Sequence, residues 1–593
     1  MNEDSEDTLL RSSSLIAGTT KKMALTYVGS AMCAAAVVII DSLVAGVSIG
    51  EKALAAIAAA GPLLSVGQIL HCMLGFGIDK LMVQAIGKGK RGEANRIFGA
   101  ILIAVIVVYL LVFMLLIVLE RPLLESILDD PTLSGMVIDY TVPLFATEAI
   151  FEAFLCIERA FRIDGRARLF SLRSIVTNIA NIAFDLLLVS ALGLGVSGLA
   201  WSSVLSTAIG YTITLSHFFS KKRTVSPDFS VVRDRKEFLT YVTWDVRLGS
   251  SATLDEVMSS VALTLQTTTV GTIGGAGGLA IWAVYKSVRG VILSASNGVA
   301  ASVSVHAGLL FGQGDYDGVR YSVKEGALLA QAISAGAIVL TLLLAGGIVD
   351  VYHIAPELHE VGATCLRIGC VAFPPLAFLT VFTAYLPAVD KIRMTNRLVM
   401  VQHGLTMVPA VFGYTLGLSA FFSSYVGALW FTLVLVAYLL MRNRYWFVPA
   451  SNPEMIAGYS IRLRPDQISA LCVDVEKELA DSRYSKRMCS WVALLVEEGV
   501  NYIAQHNTGA EISADVEVKR AEGGLLSTII DNGSPYNPIT KQSDSAWEEL
   551  EWREPGVLET VVIRGLATDI RYDRVLDLNH LSLFTAFPDE DRP

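Results

Sequence analysis

From Met23 to Met441 the chain repeats one pattern, in which long apolar runs alternate with short polar or charged turns. Each run is close to the roughly 20 residues a helix needs to cross hydrocarbon. About twelve such runs begin, near residues 24, 54, 97, 137, 169, 196, 250, 279, 322, 362, 395 and 420. The pattern predicts an α-helical membrane protein with twelve transmembrane helices. Beyond Met441–Pro453 the pattern changes. Residues 454–593 are charged, and strand-like alternations such as ISADVEVKR and LLSTIID lie between helical stretches. This predicts a separate C-terminal α/β domain.

Composition agrees with the pattern. Of 593 residues, 53% are hydrophobic and 17% charged, against roughly 25% charged in soluble domains. A wholly soluble enzyme is excluded. The net charge of −10 gives no basic face for nucleic acid. Basic residues follow the second, fourth and sixth runs: Lys88, Lys90, Arg91 and Arg96; Arg159, Arg162, Arg166, Arg168 and Arg173; Lys221 to Lys236. The positive-inside rule then places both termini in the cytoplasm of a cell-membrane protein. The expected division is a tail over 1–22, an N-lobe of six helices over 23–220, a linker over 221–245, a C-lobe of six helices over 246–445 and the soluble domain over 454–593. No cleavage site follows Lys21–Lys22, so no signal peptide is expected. The seven cysteines show no metal or redox spacing.

The two halves resemble each other at a nearly fixed offset of 225. Gly46 corresponds to Gly271, Leu54 to Leu279, the GKG of Gly87 and Gly89 to the GQG of Gly312 and Gly314, Pro131 to Pro356, and Arg168 to Arg393. Six helices per half make the repeat parallel, with a cavity expected between the halves. The repeat is asymmetric in charge. Asp41 corresponds to Gln266, Asn181 to Thr406 and Asp185 to Ala410, so the acidic site belongs to the N-lobe.

A carboxylate inside a membrane-length helix is costly unless it faces water or a partner, so Asp41 is a functional candidate. Asn181 and Asp185, four apart, share a helix face. An amide beside a carboxylate can coordinate Na⁺ or hold a proton-carrying carboxyl, and either suits antiport. Glu148 and Glu152 also share a face and are candidates for the same cavity. Asp255 and Glu256 are expected near the cytoplasmic start of the seventh helix, Asp79–Lys80 as a local pair, and His403 as a hydrogen-bonded structural group. Lys286 and Arg289 interrupt the eighth run.

At these residues the chain resembles a known family. VVIIDSLVAGVSIGEKALAA, GKGKRGEANR and GRARLFSLRSIVTNIANIAFDLLL with GLGVSGLAWSS are similar to segments of multidrug and toxin extrusion (MATE) transporters. The resemblance covers roughly residues 20–445. It implies a two-lobe secondary antiporter that exports small organic cations against H⁺ or Na⁺. It places the family's acidic residues on Asp41 and Asp185 and its amide on Asn181, with weaker matches at Tyr140 and Ser203. The additional charges leave a lipid-type flippase as an alternative.

In the tail, Glu497 and Asn501 of LLVEEGVNYIAQHN lie on one helix face, a carboxylate and an amide suited to Mg²⁺ and phosphate. In IIDNGSPYNP, Asp531 can accept from a purine amine and Gly533 permits a tight turn. Together the motifs resemble histidine-kinase-type (GHKL) ATPases, in particular anti-sigma-factor serine kinases. That resemblance implies Glu497 as general base, Asn501 as Mg²⁺ ligand and Asp531 as reader of adenine, with ATP bound. The glycine-rich motif departs from the family: in GVLETVVIRGL Gly556 remains, but Val557 and Glu559 replace later glycines. The tail is therefore expected to regulate the transporter, alone or with a cytoplasmic protein. A membrane sensor signalling through a kinase-like tail is the alternative.

Overall fold

The computed structural model describes residues 14–49, 51–127, 131–163, 167–219, 225–351, 356–412, 417–442, 446–507, 511–536 and 557–587. Within α1 and parts of other helices only the backbone is described; Asp41 is among these residues. The chain forms two compact units, a helical one over 20–315 and 319–448 and a second built on the residues after Val448.

The helical unit begins with α1 (Ser14–Ser48), α2 (Glu51–Leu74), α3 (Ile78–Gly87), α4 (Arg91–Ile127), α5 (Pro131–Ile163) and α6 (Ala167–Phe184). A π-helical segment, Asp185–Ala191, continues α6 and leads to α7 (Gly195–Phe219). The second half comprises α8 (Arg235–Gln313), α9 (Tyr316–Val351), α10 (His359–Cys370), α11 (Phe373–Ala388), α12 (Ile392–Phe412) and α13 (Leu418–Arg442). Among the described residues, seven helical stretches are long and apolar enough to cross a membrane, or eight if the bent α10–α11 pair is one span. Helix α8, 79 residues long, contains one break, Gly275 with φ 56° and ψ −147°. L-residues rarely adopt a positive φ, so glycine is what lets one helix turn into the next there.

Leu111, Met114, Leu115 and Val118 of α4 are exposed, as are Val339, Leu340 and Leu343 of α9. Exposed aliphatic stripes of this kind are stable facing acyl chains rather than water. The interior of the second half is instead aromatic: Trp282 lies 5.6 Å from Phe421 and 5.6 Å from Phe422, centroid to centroid.

The internal repeat is visible in packing. A Cβ on Gly87 would stand 2.5 Å from the Leu309 carbonyl oxygen, and one on Gly312 would stand 2.6 Å from that of Gln84. Residues 84 and 309, like 87 and 312, are counterparts in the repeat. Each half thus places its glycine against the partner position of the other, the reciprocity of a two-fold relation. Only a missing side chain lets the backbones approach so closely.

Helix α8 starts at Arg235, inside the stretch expected as linker, because Asp234 caps it, accepting from the amides of Lys236 (2.9 Å) and Glu237 (3.1 Å). Asp255 and Glu256 therefore lie well inside the helix rather than at its start.

The second unit is a five-stranded sheet of β1 (Met455–Arg462), β2 (Ser513–Ala521), β3 (Gly524–Asp531), β4 (Asp569–Val575) and β5 (Leu578–Ala586). Its order is β1-β2-β3-β5-β4, with every pair antiparallel. Helices α14 (Pro465–Asp481), α15 (Lys486–His506) and α16 (Val557–Leu566) accompany it. Leu471, Val496, Val516, Ile529 and Leu581 belong to one apolar core. Gly499 brings α15 down onto the sheet, since a Cβ there would meet the Ile529 side chain at 2.6 Å.

Candidate functional site

In the N-lobe, Asn181 is fixed from α7. Its Nδ2 donates to Ser202 Oγ at 3.1 Å, and that hydroxyl donates to the Asn181 carbonyl at 3.0 Å. Asn181 Oδ1 is buried and accepts no hydrogen bond among the described residues. An acceptor so placed suits a cation or a protonated carboxyl. Asp185 opens the π segment one turn on and is fully buried. A π segment re-aims the side chains at its start, and such segments recur at functional sites. Tyr140 packs beside Val189 and Leu199 at this point, while Ser203 is half-buried on α7, next to Ser202. The side chain of Asp41 lies outside the described residues.

The C-lobe shows how the corresponding positions meet. Gln266 Nε2 donates to the Thr406 carbonyl at 2.9 Å, and Thr269 Oγ1 to that of Ala410 at 3.2 Å. Gln266, Thr406 and Ala410 are the counterparts of Asp41, Asn181 and Asp185.

Glu148 and Glu152 turn toward α2 instead. Glu152 Oε1 lies 2.8 Å from His71 Nδ1, and Glu148 Oε1 would lie 3.1 Å from a Cβ on Gly67. Asp79 takes a partner across the fold: its Oδ2 is 3.6 Å from Arg159 Nη1. Arg159, counted above as a loop cation, is buried in α5, which runs on to Ile163. Arg173 is likewise internal, 2.5 Å from Glu158. His403 meets expectation, with Nε2 2.8 Å from Asp255 Oδ1.

Between the halves lies a cavity of about 450 Å³. Its charged lining comprises Asp79, Lys80 and Arg159 from the first half and Asp255, Glu256 and Arg289 from the second. Of these, Asp79, Lys80 and Arg159 are buried, and buried charge in a membrane unit is costly unless it is paired or faces a cavity.

In the tail, the Asp531 carboxylate is fully buried and held by three donors. Oδ1 accepts from the Gly533 amide and Asn579 Nδ2, both at 2.8 Å, and Oδ2 from Tyr536 OH at 2.9 Å. Burial raises the Asp531 carboxyl above its ordinary value, and these bonds oppose the rise. The Tyr536 ring sits 5.6 Å from Tyr502 and 5.0 Å from Tyr572. A purine amine thus reaches Asp531 only if Tyr536 leaves, and as it stands the site does not fit a purine. A Cβ on Gly533 would meet Asn507 and Asp531 below 3 Å, the close turn expected. Glu497 accepts from Cys472 Sγ at 3.3 Å, and Asn501 is half-buried on α15. Glu559 bonds Gln505 and, after burial, is the main cause of the raised Glu498 carboxyl. Gly556 lies outside the described residues. Among the described residues no group of three or more His, Cys, Asp or Glu side chains is placed to hold a metal.

A two-fold helical unit with a charged inter-lobe cavity defines a membrane transporter. The sequence profile of the MatE family matches residues 28–187 and 252–415, more than half of the chain, which therefore belongs to this family of MATE transporters. Solved structures share the fold. A MATE transporter crystallised with MaL6 is 18% identical, with TM-score 0.67 over 72% of this chain and 96% of that one. An aspartate-to-asparagine mutant of the Vibrio cholerae MATE transporter VcmN is 17% identical, with TM-score 0.65 over 74% and 99%. A MOP superfamily transporter from Pyrococcus furiosus, described as having a binding pocket of reverse polarity, is 19% identical, with TM-score 0.66 over 74% and 99%. No curated protein sequence matches the chain.

Proposed function

We propose that the protein is a secondary active exporter of small organic cations, driven by H⁺ or Na⁺ and built on twelve spans, six per lobe. It resides in the cell membrane with both termini in the cytoplasm. Asp41 and Asp185 exchange a coupling ion for substrate, Asn181 tunes the site through its Oδ1, which accepts no hydrogen bond among the described residues, and rocking of the lobes exposes the cavity alternately. The observation that carries this reading is the C-lobe contact of Gln266 with Thr406. Under the 225-residue repeat these are the counterparts of Asp41 and Asn181, which supports assigning both positions to one site. The alternate loading of one buried pocket by ion or cargo gives antiport its exclusivity. Export from liposomes should be lost in Asp41→Asn with insertion intact; full export by that variant would reject the mechanism.

The tail is a regulatory module with the motif order of a GHKL ATPase. Any nucleotide or Mg²⁺ would be held by Glu497, Asn501 and Asp531 only after Tyr536 is displaced. A lipid-type flippase is a second reading, favoured by Lys80, Arg159 and Arg289 in the cavity wall, because cations suit anionic headgroups. Transport of a fluorescent anionic lipid, in preference to organic cations, would select it.

A further inference from the structure

We propose that His71, Glu152, Arg159, Asp79 and Asp245 form a second proton-binding centre in the helical unit, separate from the Asn181–Asp185 pocket, with Arg159 as its moving part. For its link to export the proposal rests on the antiport reading; its existence does not.

The hydrogen-bond geometry fixes the present state. Arg159 Nη2 is 3.2 Å from His71 Nε2, and His71 Nδ1 is 2.8 Å from Glu152 Oε1. A guanidinium only donates, so Nε2 accepts and carries no proton; Nδ1–H then donates to Glu152. His71 is neutral in one tautomer. The surrounding charges do not balance. Lys80 and Arg159 stand against three carboxylates, Asp79, Glu152 and Asp245, all buried. Asp245 on α8 is 0% exposed, and no side chain among the described residues donates to its oxygens. Its carboxylate rests against the Gly77 backbone, where a Cβ would stand 2.5 Å from Oδ1. Two cations against three buried carboxylates leave an excess negative charge among the described residues, and Asp245 holds its share without a side-chain hydrogen-bond donor, an arrangement that favours taking in a proton.

Every element packed on α2 contributes a charged or titratable group. Helix α5 brings Glu148, Glu152 and Arg159; α8 brings Asp245, Asp255 and Glu256; α4 brings Tyr109, whose hydroxyl donates to the Gly67 carbonyl at 3.2 Å. Asp79 and Lys80 follow on α3, and Cys72 adjoins His71 on α2 itself.

A proton arriving at His71 adds to the Nε2 lone pair and breaks the bond from Arg159, with no other bond changed. The imidazolium keeps Glu152 and repels Arg159. The guanidinium then closes on Asp79, now at a loose 3.6 Å, and on Asp245. Because Asp79, Lys80 and Arg159 also line the cavity, proton uptake changes the charge that cargo meets.

The test is infrared difference spectroscopy on the purified full chain between about pH 8 and pH 5. An imidazole-protonation feature should appear in the wild type and vanish in His71→Gln. The feature should also change in Glu152→Gln, which removes the acceptor of Nδ1–H, and in Arg159→Gln, which removes the donor to Nε2. The three variants are independent, so loss of one to misfolding leaves two to decide. Retention of the feature in His71→Gln, or a feature unchanged in both other variants, overturns the proposal. If the feature behaves as expected while wild-type export ignores pH gradients, the antiport reading fails and the centre stands.

Discussion

Tyr536 and a nucleotide cannot both use Asp531, and this competition has a calculable size. The Asp531 carboxylate is buried and takes the Tyr536 hydroxyl at 2.9 Å. A hydrogen bond to a charged group is worth about 1.5–3 kcal/mol. A purine amine that displaces the hydroxyl regains its own bond but forfeits that one, so the wild type should bind roughly 10- to 100-fold more weakly than a chain without the hydroxyl. Tyr536→Phe removes only that oxygen and keeps the ring among Tyr502 and Tyr572. The assay is equilibrium binding of a fluorescent ATP analogue with Mg²⁺ to the full-length protein. Tighter binding by Tyr536→Phe supports the competition. Binding that is equal or weaker in the variant refutes it, and no binding by either chain removes nucleotide from the account.

Other outcomes follow from the packing. His580 is buried in the tail sheet, and burial lowers its imidazole to about 4. A base whose folded value is depressed contributes stability above its unfolded value of about 6.5, and this is lost as pH falls toward 4, at most about 3 kcal/mol. Acid unfolding of the tail, followed by hydrogen exchange at β5, should therefore shift to lower pH in His580→Asn. Gly312→Ala drives a Cβ to within 2.6 Å of the Gln84 carbonyl, an overpacking cost of about 1–3 kcal/mol; a lower thermal-unfolding midpoint is expected, and an unchanged one would contradict the close reciprocal crossing. Ser202→Ala frees the Asn181 amide and should weaken ion-coupled export several-fold without loss of protein from the membrane.

Much of this was legible in the sequence. Apolar runs of membrane length, the 225-residue offset and the switch to strand alternation after residue 453 report directly on membrane-spanning helices, duplication and a C-terminal sheet. The hydrogen-bonded role of His403 was expected from a lone histidine in an apolar run, and Asp255 supplies its partner. What stayed hidden depended on partners distant in sequence. Arg159 looked like a loop cation because basic residues cluster after it, yet α5 continues through it and Asp79 and His71 receive it. Glu152 shared a face with Glu148, but spacing does not say which helix that face meets. Asp245 sat in a stretch read as linker, because the helix start set by the Asp234 cap, eleven residues earlier, is not marked by the apolar pattern. In the tail the Asp531 motif was evident, whereas its capture by Tyr536 and Asn579 requires the fold of β5 against β3.

The central claim is that acidic residues of the N-lobe couple an ion to export. Its most direct test is flux in proteoliposomes against separately imposed pH and sodium gradients, for the wild type and Asp185→Asn. The account predicts wild-type accumulation that one gradient drives and its collapse abolishes, and a variant that inserts normally but is blind to that gradient. Gradient-driven transport undiminished in Asp185→Asn would contradict it.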